Sequence, residues 1–320
     1  MRVPAHAASE GHRPAIGGFP TRAALRLAFL ALIGGATGIG FAPIFVRLSE
    51  TGPTATAFYR LLFALPLLWV WMWSERRRRP GTPQPRRRGD FALLGLAGLF
   101  FTADLSIWHW SLQFTSVTNS TLITNVAPLF VTIAARVFLG ERITRRFLAG
   151  MFLALAGVGI LTGASYSLSS RHVLGDVLSA VAAAFYAGYL VTLKQLRRSF
   201  ATPVIMAWAG LASCLGFGLV AWVSGDVMWA ATPRGWGVLL ALALVAHVGG
   251  QTLITFGFGY LPASFSSVSL LWQPVVAAIA AWVVLGEPIG VMQGLGALVV
   301  LAGIALASGL QLRPRAGLTG

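Results

Sequence analysis

Three ionisable residues lie inside long apolar runs of this chain, where charge is expensive. Arg60 sits about six residues into a run that spans 54–74, Asp104 lies near the middle of 91–113, and His247 falls within 235–258. An arginine held at mid-membrane costs roughly 2.5–3.5 kcal/mol on insertion scales, so such a group is functional by default. The guanidinium offers a planar fork of donors that matches a carboxylate. Snorkelling of Arg60 toward the nearer interface is the competing reading. A lone aspartate in hydrocarbon must be neutral, paired or facing water. Asp104 therefore reads as a partner for Arg60, as a protonatable coupling group, or as a polar wall. Its depth, about nine residues from the end of its run, is close enough to that of Arg60 for the two to meet if their helices are neighbours. His247 has Gln251 one turn further on. Its imidazole can titrate near neutrality, although a single histidine serves equally well as a packing residue.

Other polar and aromatic side chains fall at helical spacings around these three. Trp108 and Ser111 share a face with Asp104 through spacings of 4 and 3. Thr118, Thr121, Asn125, Pro128 and Thr132 follow one another at 3, 4, 3 and 4, which makes a single polar stripe. Pro128 frees a backbone carbonyl in the turn before it. Ser267, Trp272, Gln273 and Pro274 occupy the comparable part of a later run, and Tyr186 and Tyr189 lie three apart in another. Arg60 then reads as the holder of an anionic group. Asn125, Gln251 and Gln273 supply hydrogen bonds, with Thr121, Asp104 and His247 as further polar lining. Trp108, Tyr186 and Trp272 give apolar or stacking surface, and Pro128 and Pro274 serve as gating breaks. Cys214 is the sole cysteine, and no second histidine stands at metal-ligand spacing, so the reading includes no metal. There is no phosphate-cradling glycine loop and no insertion that would house one. The reading therefore names no cofactor and excludes an ATP-driven pump on this chain alone.

The elements that position these residues are read from composition. Of 320 residues 56% are hydrophobic and 10% charged, against about 25% charged in soluble domains. The apolar runs are continuous and about 20 residues long, which predicts membrane-spanning helices and not a β-barrel. Ten are expected, near 24–47, 54–74, 91–113, 117–138, 146–164, 174–194, 203–224, 235–258, 263–284 and 290–309. The net charge of +15 does not indicate nucleic acid. With the runs alternating across a bilayer, nineteen of the 24 basic residues gather on one side and three on the other. By the positive-inside rule that side is cytoplasmic and holds both termini.

A block of about forty residues occurs twice, displaced by 146 positions. From 134 to 143, seven of ten positions are identical to 280–289, including Leu139-Gly140-Glu141 against Leu285-Gly286-Glu287, and Pro128 falls on Pro274. Five spans per half is an odd number, so the second half enters the membrane inverted. The basic turn with Arg142, Arg145 and Arg146 corresponds to uncharged Pro288, Val291 and Met292, as inversion requires. The expected domains are a disordered cytoplasmic tail over 1–22, a first repeat over 23–164, a second over 174–309 and a cytoplasmic tail over 310–320.

Three stretches, GFAPIFVRLSETGPTATAFYRLLFALPLL (40–68), ADLSIWHWSLQFTSVTNSTLITNVAPLFVTIAARVFLGERIT (103–144) and SSVSLLWQPVVAAIAAWVVLGEPI (266–289), resemble the EamA-type transporters of the drug/metabolite transporter superfamily. The resemblance covers about 25–309. It implies an all-α integral membrane protein with ten helices in two inverted EamA repeats, in the bacterial inner membrane. It also implies export of a small metabolite such as an amino acid, by alternating access at a midplane cavity. The expected partners are a small-molecule substrate and the lipid bilayer, with protons as a candidate co-substrate. The motifs fix neither substrate nor oligomeric state. A carrier of nucleotide sugars or phosphate-bearing metabolites would want several cavity-facing cations, and Arg60 is the one strong candidate. A non-transporting scaffold would be expected to lack buried ionisable residues. A membrane-embedded enzyme would need a converging acid, base or nucleophile set beyond Asp104 and His247.

Overall fold

The computed structural model describes residues 21–163 and 170–308, without the side chains of 117, 118 and 170–172. The expected tails therefore lie outside the described residues, except that Arg22 already opens the first helix. The side chain of Thr118 lies outside them too. Ten helices are long and apolar enough to cross a membrane. They are α1 (Arg22–Leu48), α2 (Pro53–Arg78), α3 (Arg88–Ser111), α4 (Asn119–Phe138), α5 (Arg145–Thr162), α6 (Val173–Leu196), α7 (Thr202–Ser224), α8 (Pro233–Tyr260), α9 (Ala263–Leu285) and α10 (Val291–Ser308). No strand occurs among the described residues. A helix satisfies every backbone group within its own segment, which is what hydrocarbon demands. The expected spans all fall on these helices, with ends displaced by a few residues.

The termini carry the turn chemistry of the sequence. Thr144 Oγ1 accepts from the Phe147 N–H at 3.1 Å to start α5, and Thr232 Oγ1 accepts from the Gly235 N–H at 3.1 Å to start α8. Gly140 and Gly286 follow α4 and α9 at φ +67° and +71°, the left-handed region that favours glycine.

The helices pack as an inverted repeat. α2 packs on α7 and α5 on α10, each across the approximate two-fold that relates the halves. The contact of α3 with α6 is matched by that of α8 with α1, and α3 on α7 is matched by α8 on α2. The first segment of α9 lies against the second segment of α4, so these equivalent helices run in opposite directions. α5 and α10 meet through the repeat-matched glycines. A Cβ on Gly157 would stand 2.5 Å from Val300 N and 2.9 Å from Gly296 O, and one on Gly150 would stand 2.7 Å from Gly303 O. Such backbone approach is what small residues permit between membrane helices. Large apolar side chains such as Phe138, Trp222 and Val291 are exposed around the perimeter, as a lipid-facing surface requires.

Candidate functional site

Arg60 and His247 meet at a widened turn of α8. From Ala243 to Gln251 this helix winds as a π-helix, with Gly249-Gly250 in the irregular stretch. Such bulges recur at functional sites because they redirect side chains and carbonyls within a helix. His247 and Gln251 are buried at this turn. Both ring nitrogens of His247 lack a partner. Gln251 Nε2 donates to the Tyr189 hydroxyl of α6 at 2.8 Å.

Arg60, on α2, is buried and reaches the same turn. Its Nη2 donates to the Ala246 carbonyl at 3.4 Å, a long contact, and Nε has no partner. The guanidinium lies 5.8 Å from the centre of the Phe101 ring on α3, within cation–π range. Phe101 in turn stands 5.0 Å from the Tyr189 ring and 6.2 Å from His247. A small void beside this group is lined by Phe101, Tyr189, Met206, Gly210 and His247. Helices α2, α3, α6 and α8 thus converge on one polar centre within the bundle, and α7 closes the void beside it.

Asp104 is buried on α3, one helical turn beyond Phe101. No ion pair joins it to Arg60 among the described residues, so the partner reading does not hold in this conformation. The reason is packing: α2 and α3 are consecutive but meet sparsely, α2 lying on α7 and α3 on α6 and α7. Asp104 and Arg60 instead share the electrostatic environment of Tyr186 and Tyr189, whose rings are 6.4 Å apart. Tyr186 also neighbours Gln273, whose buried Nε2 has no partner.

α4 and α9 are broken beside the two prolines that the sequence marks as gating breaks, whereas Pro66 lies inside an unbroken α2. α4 stops as a first segment, Val117–Thr124, and resumes as Ala127–Phe138 with Pro128 in its first turn. α9 stops as Ala263–Ser269 and resumes as Trp272–Leu285 with Pro274 also in its first turn. Asn125 sits at the break of α4 and donates from Nδ2 to the Thr121 carbonyl at 2.7 Å, so its amide closes its own turn. Thr121 is half-buried. Trp272 turns its indole N–H to Thr37 on α1, at 2.9 Å, and so ties α9 to the first helix. Trp108 packs on His109, with rings 5.2 Å apart, toward the end of α3. The structure therefore brings Arg60, His247, Gln251 and the two tyrosines together. It sets Trp108, Thr121, Asn125 and Trp272 in separate contacts.

Several polar contacts and groups escape sequence reasoning. Ser111, Ser120 and Ser179 form a buried hydroxyl cluster, at 2.8–3.1 Å, that joins α3, α4 and α6. Asn119 is buried with Nδ2 unpartnered, and Ser106 Oγ is also unpartnered. A serine in an apolar helix bonds its own backbone by default, so nothing in the sequence marks one that reaches across helices. The π-turn leaves only its two glycines as a signal. No cluster of three metal-ligating side chains occurs among the described residues.

An inverted duplication of five helices, with broken helices and buried ionisable groups where the halves meet, defines a multi-pass membrane transporter. The pattern of the EamA-like transporter family matches residues 26–163 and again 173–309, and the chain belongs to that family. It is 27% identical to an uncharacterized transporter of Archaeoglobus fulgidus over 84% of this chain and 92% of that one. It is 28% identical to the pseudopaline exporter of Pseudomonas aeruginosa over 81% and 87%. A riboflavin transporter of Fusobacterium nucleatum is 28% identical over 60% of this chain and 66% of its own length. A solved crystal structure superposes with a TM-score of 0.75 at 18% identity, covering 92% of this chain and all of the other, and shares the fold.

Proposed function

We infer that the protein is an inner-membrane secondary exporter of a small polar or amphipathic metabolite such as an amino acid, working by alternating access. The observation that carries this is the buried centre at the π-turn of α8. There Arg60 Nε and both nitrogens of His247 have no partner. Unsatisfied buried groups cost free energy and favour an incoming ligand that satisfies them. Arg60 would take the carboxylate, with Asp104 as the acidic wall and His247, Gln251 and Gln273 as hydrogen-bonding groups. Tyr186, Trp108 and Trp272 would border the path, and Thr121 and Asn125 would line it at the break of α4. Pro128 and Pro274 would mark the hinges. Two similar relatives are named for different cargoes, pseudopaline and riboflavin, which supports a small organic substrate. Among the described residues Arg60 is the one buried arginine or lysine, which weighs against phosphate-bearing cargo.

In this reading the repeats are 23–164 and 174–309. The end of the molecule bearing the Arg76–Arg79 loop is cytoplasmic, with both termini there. The test is a thermal-shift screen of the purified protein against a metabolite library, followed by counterflow of labelled hits in liposomes. A ligand at a hundred times its Kd stabilises by about 2.7 kcal/mol. Stabilisation and counterflow by an amino acid are expected. Counterflow restricted to phosphate-bearing compounds would move the assignment to the other substrate class, and no counterflow with any hit would remove the carrier reading.

A further inference from the structure

The turns Leu139-Gly140-Glu141 and Leu285-Gly286-Glu287 are identical in sequence, yet their carboxylates hold different things. At the end bearing the Arg76–Arg79 loop, the basic end, Glu141 Oε1 accepts from the Ala263 N–H at 2.6 Å. Its Oε2 accepts from the Ser264 N–H at 3.1 Å and from the Ser264 hydroxyl at 2.6 Å. The end of α4 is thereby fastened to the start of α9, across the two halves. Beside it, Lys194 near the end of α6 feels the Glu141 charge and donates to the carbonyls of Phe258 and Leu261 at 2.9 and 2.7 Å. Residues 263–271 are buried without exception.

At the opposite end the 146-residue offset carries Ala263 and Ser264 onto positions 117 and 118, where α4 starts winding. Glu287 instead pairs with Arg47, and the two side chains are 46% and 64% exposed. Arg47 stands near the end of α1 much as Lys194 stands near the end of α6. The start of α4 closes on Ser116 Oγ, which accepts from the Asn119 N–H at 3.1 Å; Asn119 and Ser120 are buried like their counterparts on α9, whereas residues 121–126 are half-buried. One end is sealed by its carboxylate and the other is not.

The geometry points to Glu141 and Glu287 as a pair of alternating latches that set which end of the transporter is open. Each carboxylate, when engaged, caps the first turn of the broken helix of the other half. In the conformation described here Glu141 is engaged and Glu287 is parked on Arg47. In the opposite conformation Glu287 engages α4 and Glu141 is released. The physical grounds are general. A carboxylate accepting from the first amides of a helix makes charge-assisted bonds favoured by the helix dipole. Two inverted repeats make a contact at one end in one state recur at the other end in the other state. An exposed ion pair such as Arg47–Glu287 contributes little by comparison, so it parks the carboxylate without locking it.

The latch rests on the alternating-access reading, and its test separates the two without a transported substrate. Ser266→Cys, fully buried in the first segment of α9, is placed in a Cys214→Ala background. Its rate of modification by a membrane-impermeant maleimide is then measured in nanodiscs, where both faces are reachable. Loss of a cap of this kind shifts a conformational equilibrium by about tenfold. Glu141→Gln is therefore expected to raise the labelling rate about tenfold. Arg47→Gln, at the far end, should raise it several-fold by freeing Glu287. Glu287→Gln should leave it at or below the parent rate. Combining Glu141→Gln with Glu287→Gln should return the rate toward the parent value, which local unfolding of α9 would not do. An unchanged rate in Glu141→Gln, a rise in Glu287→Gln equal to that in Glu141→Gln, or no return in the double variant would overturn the latch. A parent protein that is never labelled, however long the exposure, would overturn alternating access itself.

Discussion

Arg60 meets one carbonyl at 3.4 Å and one ring face at 5.8 Å, which leaves most of its fork unused. Arg60→Lys keeps the charge and loses the planar geometry. It is expected to insert normally and to lower transport by about tenfold to a hundredfold, the worth of one or two hydrogen bonds to a charged group. Liposome uptake and membrane yield measured together check this, and full activity in Arg60→Ala would assign the side chain to packing. Asp104 makes no ion pair with Arg60, so removing its charge strands nothing. Asp104→Asn should therefore stay folded. Arg60→Gln and Asp104→Asn should lower the melting free energy additively, to within about 0.5 kcal/mol. A larger coupling in that double-mutant cycle would mean that the two groups do pair in solution.

At the scale of helices, the contact between α5 and α10 is set by glycine. A Cβ on Gly157 would clash with backbone atoms of α10, whereas one on Gly159 would meet only Leu122 at 3.9 Å. Gly157→Val is expected to destabilise by about 1–3 kcal/mol, as overpacking does, and Gly159→Ala to leave the melting temperature unchanged. Equal melting of the two variants would show that α5 and α10 do not rely on this approach. Helices were the legible part of the sequence. Apolar run length locates all ten, and proline locates the breaks in α4 and α9, because both are local properties of the chain. The choice of neighbours was not legible. Similar depth allowed Arg60 and Asp104 to meet if their helices were neighbours, but depth says nothing about which helices touch, and α2 and α3 hardly do. Nothing in the sequence tied the Trp272 N–H to Thr37, which lies 235 residues away on α1. Glu141 was visible as part of a repeated turn, while its partners lie more than 120 residues away.

At the scale of the whole molecule, orientation is the property to measure. In a Cys214→Ala background, Ser116→Cys and Gly290→Cys are expected to react with an impermeant reagent applied to intact cells, and Gly81→Cys only after the membrane is opened. All three positions are exposed. Labelling of Gly81→Cys on intact cells would reverse the assignment of the basic end. The glycine contact between α5 and α10 also has a consequence in time. The two helices lie on opposite halves, 146 residues apart. At about 5–20 residues per second of synthesis, α5 waits roughly 7–30 s in the bilayer before its partner has been translated. For that interval its glycine groove faces lipid, or another chain at the same stage. Neither half is then expected to be a self-sufficient folding unit. Two separately encoded halves, divided between α5 and α6, should each be degraded when made alone and accumulate when made together. Immunoblots of membranes would show it, and a first half that persists by itself would mean that the groove needs no partner.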